Sequence, residues 1–435
     1  MSTALEARPT PATQVRTRTA GRGPVTRLKA LRRTSPGRLQ LMLAALIGLG
    51  LLTGLLAGIT GQQAQAGTTD LGNRAQPLLA EAETIYANLA DADTTAAQAF
   101  LAGGLEPATL TDRYNDDLTR ATTALTEAAR LTPEGSAAAE SVRSISTGLA
   151  RYTALVATAR ADNRQGLPVG SSYLSSASEL NRTTLLPEAK KLFDSAQQEV
   201  RDGYGDAAGG WWSGFFALLI LVLLGALLLA QRYLSRHTHR TFNVPLVAAT
   251  VLTLLLGFGT ATVLLTQNRH LNQAEDTGST PVAQLAEARI LALQERGDEA
   301  LTLAMHGSSD EPEKRWQAAD PRLRAALSNT YLPGATSGSY DAYAAAHEQI
   351  RKLDGQDGNY DGAVKLAVGK DTTAKFEQVT ADLSTALDQR KDAFTTEIDK
   401  AGGGLVVLAI LGPLVALAIC ALAFAGIRAR LEEYR

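Results

Sequence analysis

One short stretch of the sequence has residue types that could bind a metal ion. Residues Asp357–Gly362 read DGNYDG and begin like the calcium loop of an EF-hand, in which oxygen ligands alternate along twelve positions. Such a loop needs a bidentate Glu at its twelfth position, where this chain has Val368, and here Lys365 occupies the ninth. We therefore interpret the stretch as a polar turn between helices and expect no metal site there.

Signatures of catalysis are missing from the sequence. Gly369-Lys370-Asp371 lacks the upstream glycine and the following Ser or Thr of a P-loop, and the five histidines form no HExxH motif. The single cysteine, Cys420, lies in an apolar run, so no disulfide or cysteine metal site is expected. The net charge of −2 gives no reason to expect a nucleic-acid partner. We expect a protein that is not an enzyme and has no cofactor.

Four long apolar runs, none with a charged residue, dominate the chain: Leu41–Ile59, Trp211–Ala230, Val244–Leu265 and Gly404–Ala425. A bilayer core of about 30 Å requires about 20 helical residues, which is close to the length of each run. The aromatic content of 5% and the abundance of Ala, Leu and Thr favour helices elsewhere too. The sequence therefore predicts an all-α membrane protein with four transmembrane helices.

The charge distribution predicts the orientation in the membrane. Residues 1–38 carry nine basic residues and one acid, and residues 231–243 carry three Arg and no acid. Residues 61–210 carry 12 basic and 19 acidic residues, and residues 266–403 carry 15 and 22. Because basic segments stay on the cytoplasmic side, both termini and the short loop are predicted to be cytoplasmic, with two acidic domains outside a bacterial cell membrane.

The predicted segments follow in order: a disordered basic cytoplasmic tail (1–38), transmembrane helix (39–60), external helical bundle (61–210), transmembrane helix (211–230), basic cytoplasmic loop (231–243), transmembrane helix (244–265), second external bundle (266–403), transmembrane helix (404–427) and cytoplasmic tail (428–435). The first apolar run could instead be a cleaved signal peptide, since Ala64-Gln65-Ala66 resembles a cleavage site. Its length and the spacing of Gly50, Gly54 and Gly58, which suits close helix packing, favour a retained helix.

The two halves of the chain share one plan. The tetrapeptide Leu79–Ala82 recurs as Leu285–Ala288, each time after the first span of its half. In both halves a tyrosine precedes an arginine by eight residues: Tyr152 and Arg160, Tyr343 and Arg351. Apolar spacing of three and four, with breakers at residues 103–104, 133–135, 166–168, 307–310, 333–334 and 354–362, divides each external domain into about four helices. We expect two external four-helix bundles in a duplicated arrangement.

Glycines mark the return of each bundle to the membrane, and a proline lies within the last span. We expect hinge roles for these residues: Gly209, Gly210, Gly402, Gly403, Gly404 and Pro413. Near the N-terminus, the sequence Arg-Arg-Thr-Ser resembles the substrate of a basophilic kinase, with Thr34 and Ser35 as acceptors. A simple basic membrane anchor explains the same arginines.

Two polar corners are predicted at the ends of the bundles that lie far from the membrane. The first, ARADNRQGLPVGSSYL at Ala159–Leu174, joins the third and fourth helices of its bundle. The second begins at Arg351 and reads RKLDGQDGNY. Gly166 and Pro168 suit a helix hairpin, but a hairpin does not require the arginines beside them. A surface on which a soluble protein docks is one explanation of these corners, and solvated loops are the other.

The four-span plan, the first corner and the segment LDGQDGNYDGAVKLA resemble the actinobacterial GlnX family over about residues 39–427. The resemblance implies a transmembrane relay between an external GlnH-type lipoprotein that binds aspartate or glutamate and cytoplasmic protein kinase G, a Ser/Thr kinase. It implies partner contacts at the following positions: Arg160, Asn163, Arg164, Gly166, Pro168, Gly170, Tyr173, Arg351, Asp354, Gly358, Tyr360 and Gly362.

Three other functions remain open at this stage. The chain could be a structural scaffold of the cell envelope, a transport accessory subunit, or a direct small-molecule sensor that uses Arg160 or Arg351 to bind a carboxylate. The charge-free spans offer no ion path, which argues against a transporter. The sequence also allows a homodimer. The relay of an amino-acid signal is the favoured hypothesis.

Overall fold

The computed structural model describes residues 35–102, 106–208, 210–238, 243–304, 310–328 and 335–432. Within these ranges the chain is helical, and no β-strand occurs. The predicted tail up to residue 34, with Thr34, and the predicted hinge residue Gly209 lie outside the described residues, as do the breakers at 103–104 and 333–334. Residues 35–38, predicted as the end of the tail, are helical, and Pro36 suits the first turn because its nitrogen needs no partner there.

The first half contains seven α-helices and two π turns among the described residues. They are α1 (Ser35–Asp70), π1 (Leu71–Ala75), α2 (Gln76–Leu101), α3 (Ala108–Leu131), α4 (Ala137–Arg164), α5 (Val169–Leu180), π2 (Asn181–Leu185), α6 (Leu186–Ala207) and α7 (Gly210–Thr238). The turns at Pro133 and Pro168 occur where the sequence predicts them, because proline cannot continue the preceding helix.

The second half also contains seven α-helices and two π turns among the described residues, with its second π turn before the short helix instead of after it. Its elements are α8 (Val244–Ala274), π3 (Glu275–Ser279), α9 (Thr280–Ala304), α10 (Glu311–Leu327), α11 (Ala335–Arg351), π4 (Lys352–Gln356), α12 (Tyr360–Ala367), α13 (Lys370–Ala401) and α14 (Leu405–Glu432). The break between α12 and α13 at Val368-Gly369 was not expected from the sequence. Gly369 is extended there and packs close to the carbonyl oxygens of α12, which a side chain would obstruct.

Four helices are long and apolar enough to cross a membrane, and they correspond to the four predicted apolar runs. They lie in the helical stretches Gly37–Leu101, Val169–Arg236, Val244–Ala304 and Lys370–Ala429. Each stretch is much longer than a bilayer requires, so each span extends into a helix of the bundle part. The all-α fold with four membrane-spanning helices is confirmed, and the protein is a multi-pass membrane protein.

The chain divides into two compact units. The span unit comprises the described residues up to Leu55, Leu218–Leu256 and those from Pro413 onwards, and the bundle unit comprises Leu56–Ala217 and Gly257–Gly412. One continuous hydrophobic core in the bundle unit contains residues of both halves. The helices of the two predicted bundles therefore share one core within this unit.

The first external helix of each half, α2 or α9, lies at the centre of the bundle unit and is buried on nearly every face. Alanines allow this close approach, while the polar residues on these helices form bonds across the halves. Arg289 donates to the buried carboxylate of Glu83 over 2.7 Å, and Gln294 bonds to the hydroxyl of Tyr86. These bonds satisfy buried polar groups that would otherwise destabilise the contact.

Two glycines at matching positions of the two halves pack against the same helix. Gly72 in π1 and Gly278 in π3 each face the last external helix, α13. A Cβ atom at Gly72 would lie 3.0 Å from the side chain of Ile398, and one at Gly278 would lie 2.6 Å from the Cβ atom of Phe394. Such approaches leave no room for a larger residue at Gly278.

The predicted small-residue stripe of the first span packs against the last span. Within the span unit, a Cβ atom at Gly54 would lie 2.8 Å from the Cβ atom of Ala416 and 3.5 Å from the Cα atom of Pro413. Gly50 faces Cys420 in the same way. Close backbone approach through small residues is the usual basis of helix association in membranes, so a retained first span has a structural role.

The close contact at Gly278 predicts a matched pair of glycine substitutions. Gly278→Ala should destabilise the protein by about 1–3 kcal/mol because the added methyl group overlaps Phe394. Gly338→Ala, in exposed space on α11, should leave the stability unchanged or raise it by up to about 1 kcal/mol. Thermal unfolding in detergent measures both, and equal melting temperatures for the two variants would contradict this account of the packing.

Candidate functional site

The backbone of the first corner depends on two glycines and a proline. Helix α4 ends when Gly166 adopts a φ of +68°, and the Gly166 amide then donates to the carbonyl of Asn163 over 3.0 Å. Pro168 follows and precedes α5. A Cβ atom at Gly170 would lie 3.0 Å from the carbonyl oxygen of Ala159, so the close packing of α5 on α4 requires glycine at that position.

Arg160 holds the first corner against the start of α3. Its Nε donates to Glu106 Oε2 over 2.9 Å, and its Nη2 bonds to the other oxygen of Glu106 and to Thr111. The guanidinium also lies over the ring of Tyr114, 5.2 Å from its centroid. Asn163 donates to the carbonyl of Phe100 at the end of α2. These two predicted contact residues are therefore engaged within the protein.

Three apolar side chains of the first corner are exposed to solvent instead. Leu167 is 44% exposed, Val169 is 49% exposed and Tyr173 is 38% exposed. Among the described residues, these are the large hydrophobic side chains that are exposed outside the four predicted spans. Arg164 beside them is exposed too. We call Arg164, Leu167, Val169 and Tyr173 the apolar tip.

The second corner uses its arginine in the same way as the first. Arg351 forms ion pairs with Glu313 at the start of α10, over 3.0 Å, and with Asp354, over 2.7 Å. Gly358 adopts a φ of +62° and precedes α12, and the Tyr360 hydroxyl donates to the carbonyl of Leu303 over 3.0 Å. The corner is thereby fixed to the ends of α9 and α10.

The stretch that resembles a calcium loop has a capping role in this corner. Asn359 precedes α12, and its side-chain oxygen accepts a hydrogen bond from the amide of Gly362 over 3.0 Å. Among the described residues, no group of three or more His, Cys, Asp or Glu side chains could hold a metal ion. The side-chain oxygen of Asn359, which a bound cation would need as a ligand, therefore caps the N-terminus of α12.

A buried histidine, His347, lies next to Glu313, the glutamate that pairs with Arg351. His347 lies between Glu299, 3.0 Å from its Nδ1, and Glu313, 3.5 Å from its Nε2, and it stacks on Trp316 with ring centroids 3.9 Å apart. Burial lowers the pKa of His347, but the two carboxylates outweigh burial and raise the pKa to about 9. The imidazolium therefore shares Glu313 with Arg351 at neutral pH.

The two repeated tyrosine and arginine pairs have matching roles. Tyr152 and Tyr343 are fully buried in the core. Eight residues later, Arg160 and Arg351 each pair with a glutamate at the start of the second bundle helix of their half. The spacing that suggested a duplication therefore reflects equivalent positions. Neither arginine is free to bind a ligand carboxylate without breaking its internal ion pair.

The corners belong to the same end of the bundle unit. A cleft of about 200 Å³ is lined by Ser171 and Leu174 of α5 together with Leu301 and Ala304 of α9. Tyr360 of the second corner bonds to this same end of α9 at Leu303. Residues that the sequence predicts on separate domains therefore surround the C-terminal end of α9.

The predicted hinge residues interrupt the helices that return to the membrane. Gly210 adopts a φ of +46° and Gly404 a φ of +86°, whereas Gly402 is right-handed with a φ of −69°. Gly403 lies in the turn between them. Helix α14 continues through Pro413, and Ser35 is the first residue of α1. Among the described residues, one left-handed glycine therefore lies at each return to the membrane, Gly210 before the second span and Gly404 before the fourth.

Sequence reasoning missed two residues of the apolar tip, Leu167 and Val169. Both flank Pro168, and their burial could not be judged from periodicity because the turn interrupts the helical pattern. The available signal was the presence of large apolar residues in a Gly-Pro turn, where polar residues are usual.

Residues 67–205 match the sequence model of a protein family described as actinobacterial sensor domain. The matched segment begins within α1, ends within α6 and contains the first corner with its apolar tip. Comparison with curated proteins and comparison with solved structures gave no match. The family match, together with the four membrane-spanning helices, supports an actinobacterial sensor protein in a membrane.

The ion pair of the first corner predicts local loosening when Arg160 is removed. Arg160→Ala leaves the largely buried Glu106 unpaired, at a cost on the order of 3 kcal/mol. Hydrogen exchange of the amides in residues 106–111 and 165–170 should accelerate, by up to about 100-fold. The exposed Arg164→Ala serves as the control and should change little. Equal exchange in both variants, measured by mass spectrometry, would contradict the assigned role of Arg160.

Proposed function

We propose that the protein is a non-enzymatic transmembrane relay that a soluble binding protein controls from outside the cell. A lipoprotein loaded with aspartate or glutamate docks on the apolar tip, and the signal passes through the spans to a cytoplasmic Ser/Thr kinase. The exposed apolar tip, within a segment that matches a sensor domain, is the observation that carries the proposal. The scaffold and transport alternatives have no comparable support.

The composition of the apolar tip suits a protein partner. Aromatic and aliphatic side chains beside an arginine are typical of the residues that dominate binding at interfaces. The corner beneath them is rigid, because Arg160, Asn163 and Gly170 fix its backbone to α2, α3 and α4. A rigid surface loses little conformational entropy on binding, which favours docking over a mobile loop.

Helical continuity gives docking a route to the membrane. The first corner leads into α5, π2 and α6, which return to the second span, and α13 returns to the fourth. Both returning helices meet their spans at a left-handed glycine, Gly210 or Gly404. Helix shifts of about 1–2 Å are common in switching proteins, and such junctions can absorb them.

The charge distribution supports the proposed orientation. The two acidic segments belong outside and the basic segments inside, by the positive-inside rule. The loop between the second and third spans is then cytoplasmic, and its 13 residues are too few for a kinase or cyclase domain. In this proposal a separate cytoplasmic enzyme carries the signal further.

Charge placed on the apolar tip should abolish docking. The double variant Leu167→Asp/Tyr173→Asp should reduce recovery of an amino-acid-binding lipoprotein at least tenfold, because carboxylates at an apolar contact lose hydration without a partner. Thr123→Asp/Thr126→Asp, which adds the same charge to the exposed face of α3, is the control. Pull-downs in mild detergent with and without aspartate or glutamate, read by mass spectrometry, measure the recovery.

The pull-down has a clear contrary outcome. Recovery of cell-wall assembly proteins alone, unaffected by amino acids, would reject the relay and favour the scaffold. Recovery of the lipoprotein that is equal for both double variants would reject the apolar tip as its docking surface.

The left-handed glycine at the start of the last span predicts a coupling defect. Gly404→Ala introduces a side chain at a φ of +86°, which costs roughly 1–2 kcal/mol and should shift the junction. Gly402→Ala, at a right-handed position, should be tolerated. Amino-acid-dependent kinase output should fall for Gly404→Ala while lipoprotein binding persists. Normal output from both variants would show that this junction is not the hinge.

A further inference from the structure

A cavity of about 690 Å³ lies in the bundle unit between the two halves. Its walls come from α2, π2 and α6 of the first half and from α9 and α10 of the second. The volume is within the range of about 300–1,000 Å³ that is usual for small-molecule sites. The lining combines an aliphatic wall, which includes Ile290, Leu291, Leu186 and Pro187, with polar and charged side chains of both signs.

Arg182 is the cation in this cavity that has no internal partner. Its Nη1 atom is buried and lacks a hydrogen-bond acceptor among the described residues. The other cations of the lining are paired: Arg315 with Asp298 over 2.5 Å, Lys190 with Asp194 over 2.5 Å and Arg322 with Glu287 over 3.4 Å. Within the part of the chain that the structure describes, Arg182 has no ion pair.

The nearby acids favour the charge of Arg182 without forming a hydrogen bond or an ion pair with it in the described structure, and they do not outweigh its burial. Burial raises the pKa of Asp93, and its Oδ1 already accepts hydrogen bonds from Ser178 and Tyr152. Burial lowers the pKa of Arg182: desolvation disfavours the guanidinium more than the charges of Asp93, Asp298 and Glu179 favour it, and Arg315 adds to the lowering. A buried hydrogen-bond donor without an acceptor lowers the stability of the folded protein. A ligand that accepts a hydrogen bond from Arg182 would therefore recover this lost free energy.

The backbone at Arg182 is unusual as well. Arg182 lies in π2, where the helix widens by one residue between α5 and α6. Single π turns inside α-helices occur frequently at functional sites. The neighbouring Asn181 is fully buried, and its side-chain oxygen has no donor in the described structure. The cavity thus brings an unpaired guanidinium, an unsatisfied amide oxygen and an apolar wall together.

We propose that this cavity binds a small organic carboxylate with an apolar chain, with Arg182 as its anion partner. The planar guanidinium can bind a carboxylate through two parallel hydrogen bonds, and the aliphatic wall receives the chain. Two kinds of ligand share this chemistry: an apolar α-amino acid and a simple short-chain carboxylic acid. In the amino acid, the ammonium group can pair with the acids of the lining.

The site would give the protein a second input, separate from docking at the apolar tip. Helix α6 returns to the second span, and α9 continues from the third through π3. A ligand between these helices contacts both halves and biases their packing. This inference does not depend on the relay, since the cavity can bind a carboxylate whether or not a lipoprotein docks.

Binding to the full chain in detergent tests the proposal. The probes are leucine and 4-methylpentanoate, with leucinamide and 4-methylpentanamide as matched compounds that lack the carboxylate. We expect saturable binding of both carboxylates by calorimetry and an increase in melting temperature, and no binding of either amide. Tighter binding of leucine would show that the ammonium group is recognised, whereas equal affinities would assign recognition to the carboxylate and chain.

Two variants assign the binding to Arg182. Arg182→Gln should weaken carboxylate binding at least tenfold, whereas Arg143→Gln, at an exposed and paired arginine outside the cavity, should change it less than threefold. Without ligand, Arg182→Gln should melt no lower than the wild type, because it removes an unsatisfied buried charge. Failure of both carboxylates to bind at millimolar concentration, equal binding of the amides, or unchanged affinity in Arg182→Gln would each overturn the proposal.

Discussion

The contact between the central helices α2 and α9 is the constraint on which the rest of the structure depends. Each of these helices is buried by neighbours from its own half and from the other half. Alanine-rich faces permit the approach, and polar side chains such as Glu83 must then find partners across the contact, here Arg289. An unpaired buried carboxylate would cost several kilocalories per mole, so the two halves stabilise each other and cannot be treated as independent domains.

The duplicated plan has a functional consequence because the halves share one core. Each half fixes its own corner through an arginine, Arg160 or Arg351. Helix α5 of the first corner shares a cleft with the end of α9, and Tyr360 of the second corner bonds to the same end. A change at either corner therefore acts on helices that the other half also packs against. Energetic coupling between distant sites requires such a packed element with alternative arrangements, and the shared core supplies the contiguous packing.

In our proposals, the apolar tip and the cavity around Arg182 are two different kinds of input to one set of helices. The tip is a rigid exposed surface, whereas the cavity encloses a charge that the protein leaves unpaired. Both lie along the connection from α5 through π2 to α6. A sensor with a protein input and a small-molecule input could integrate them, because each ligand shifts the same packing equilibrium in proportion to its preference for one arrangement.

The sequence by itself determined the four spans, the helical class and the turns at Pro133 and Pro168, because length, hydropathy and proline act locally. It also revealed the repeated tyrosine and arginine pairs, whose equivalence the ion pairs of Arg160 and Arg351 explain. Only the tertiary structure decided that the helices of the two predicted bundles share one core, that Arg160 is engaged internally, and that Arg182 is not. Because α2 and α9 are buried on nearly every face, their hydrophobic pattern does not indicate which helices they contact. Ion pairs between helices that are distant in sequence produce no periodic pattern either.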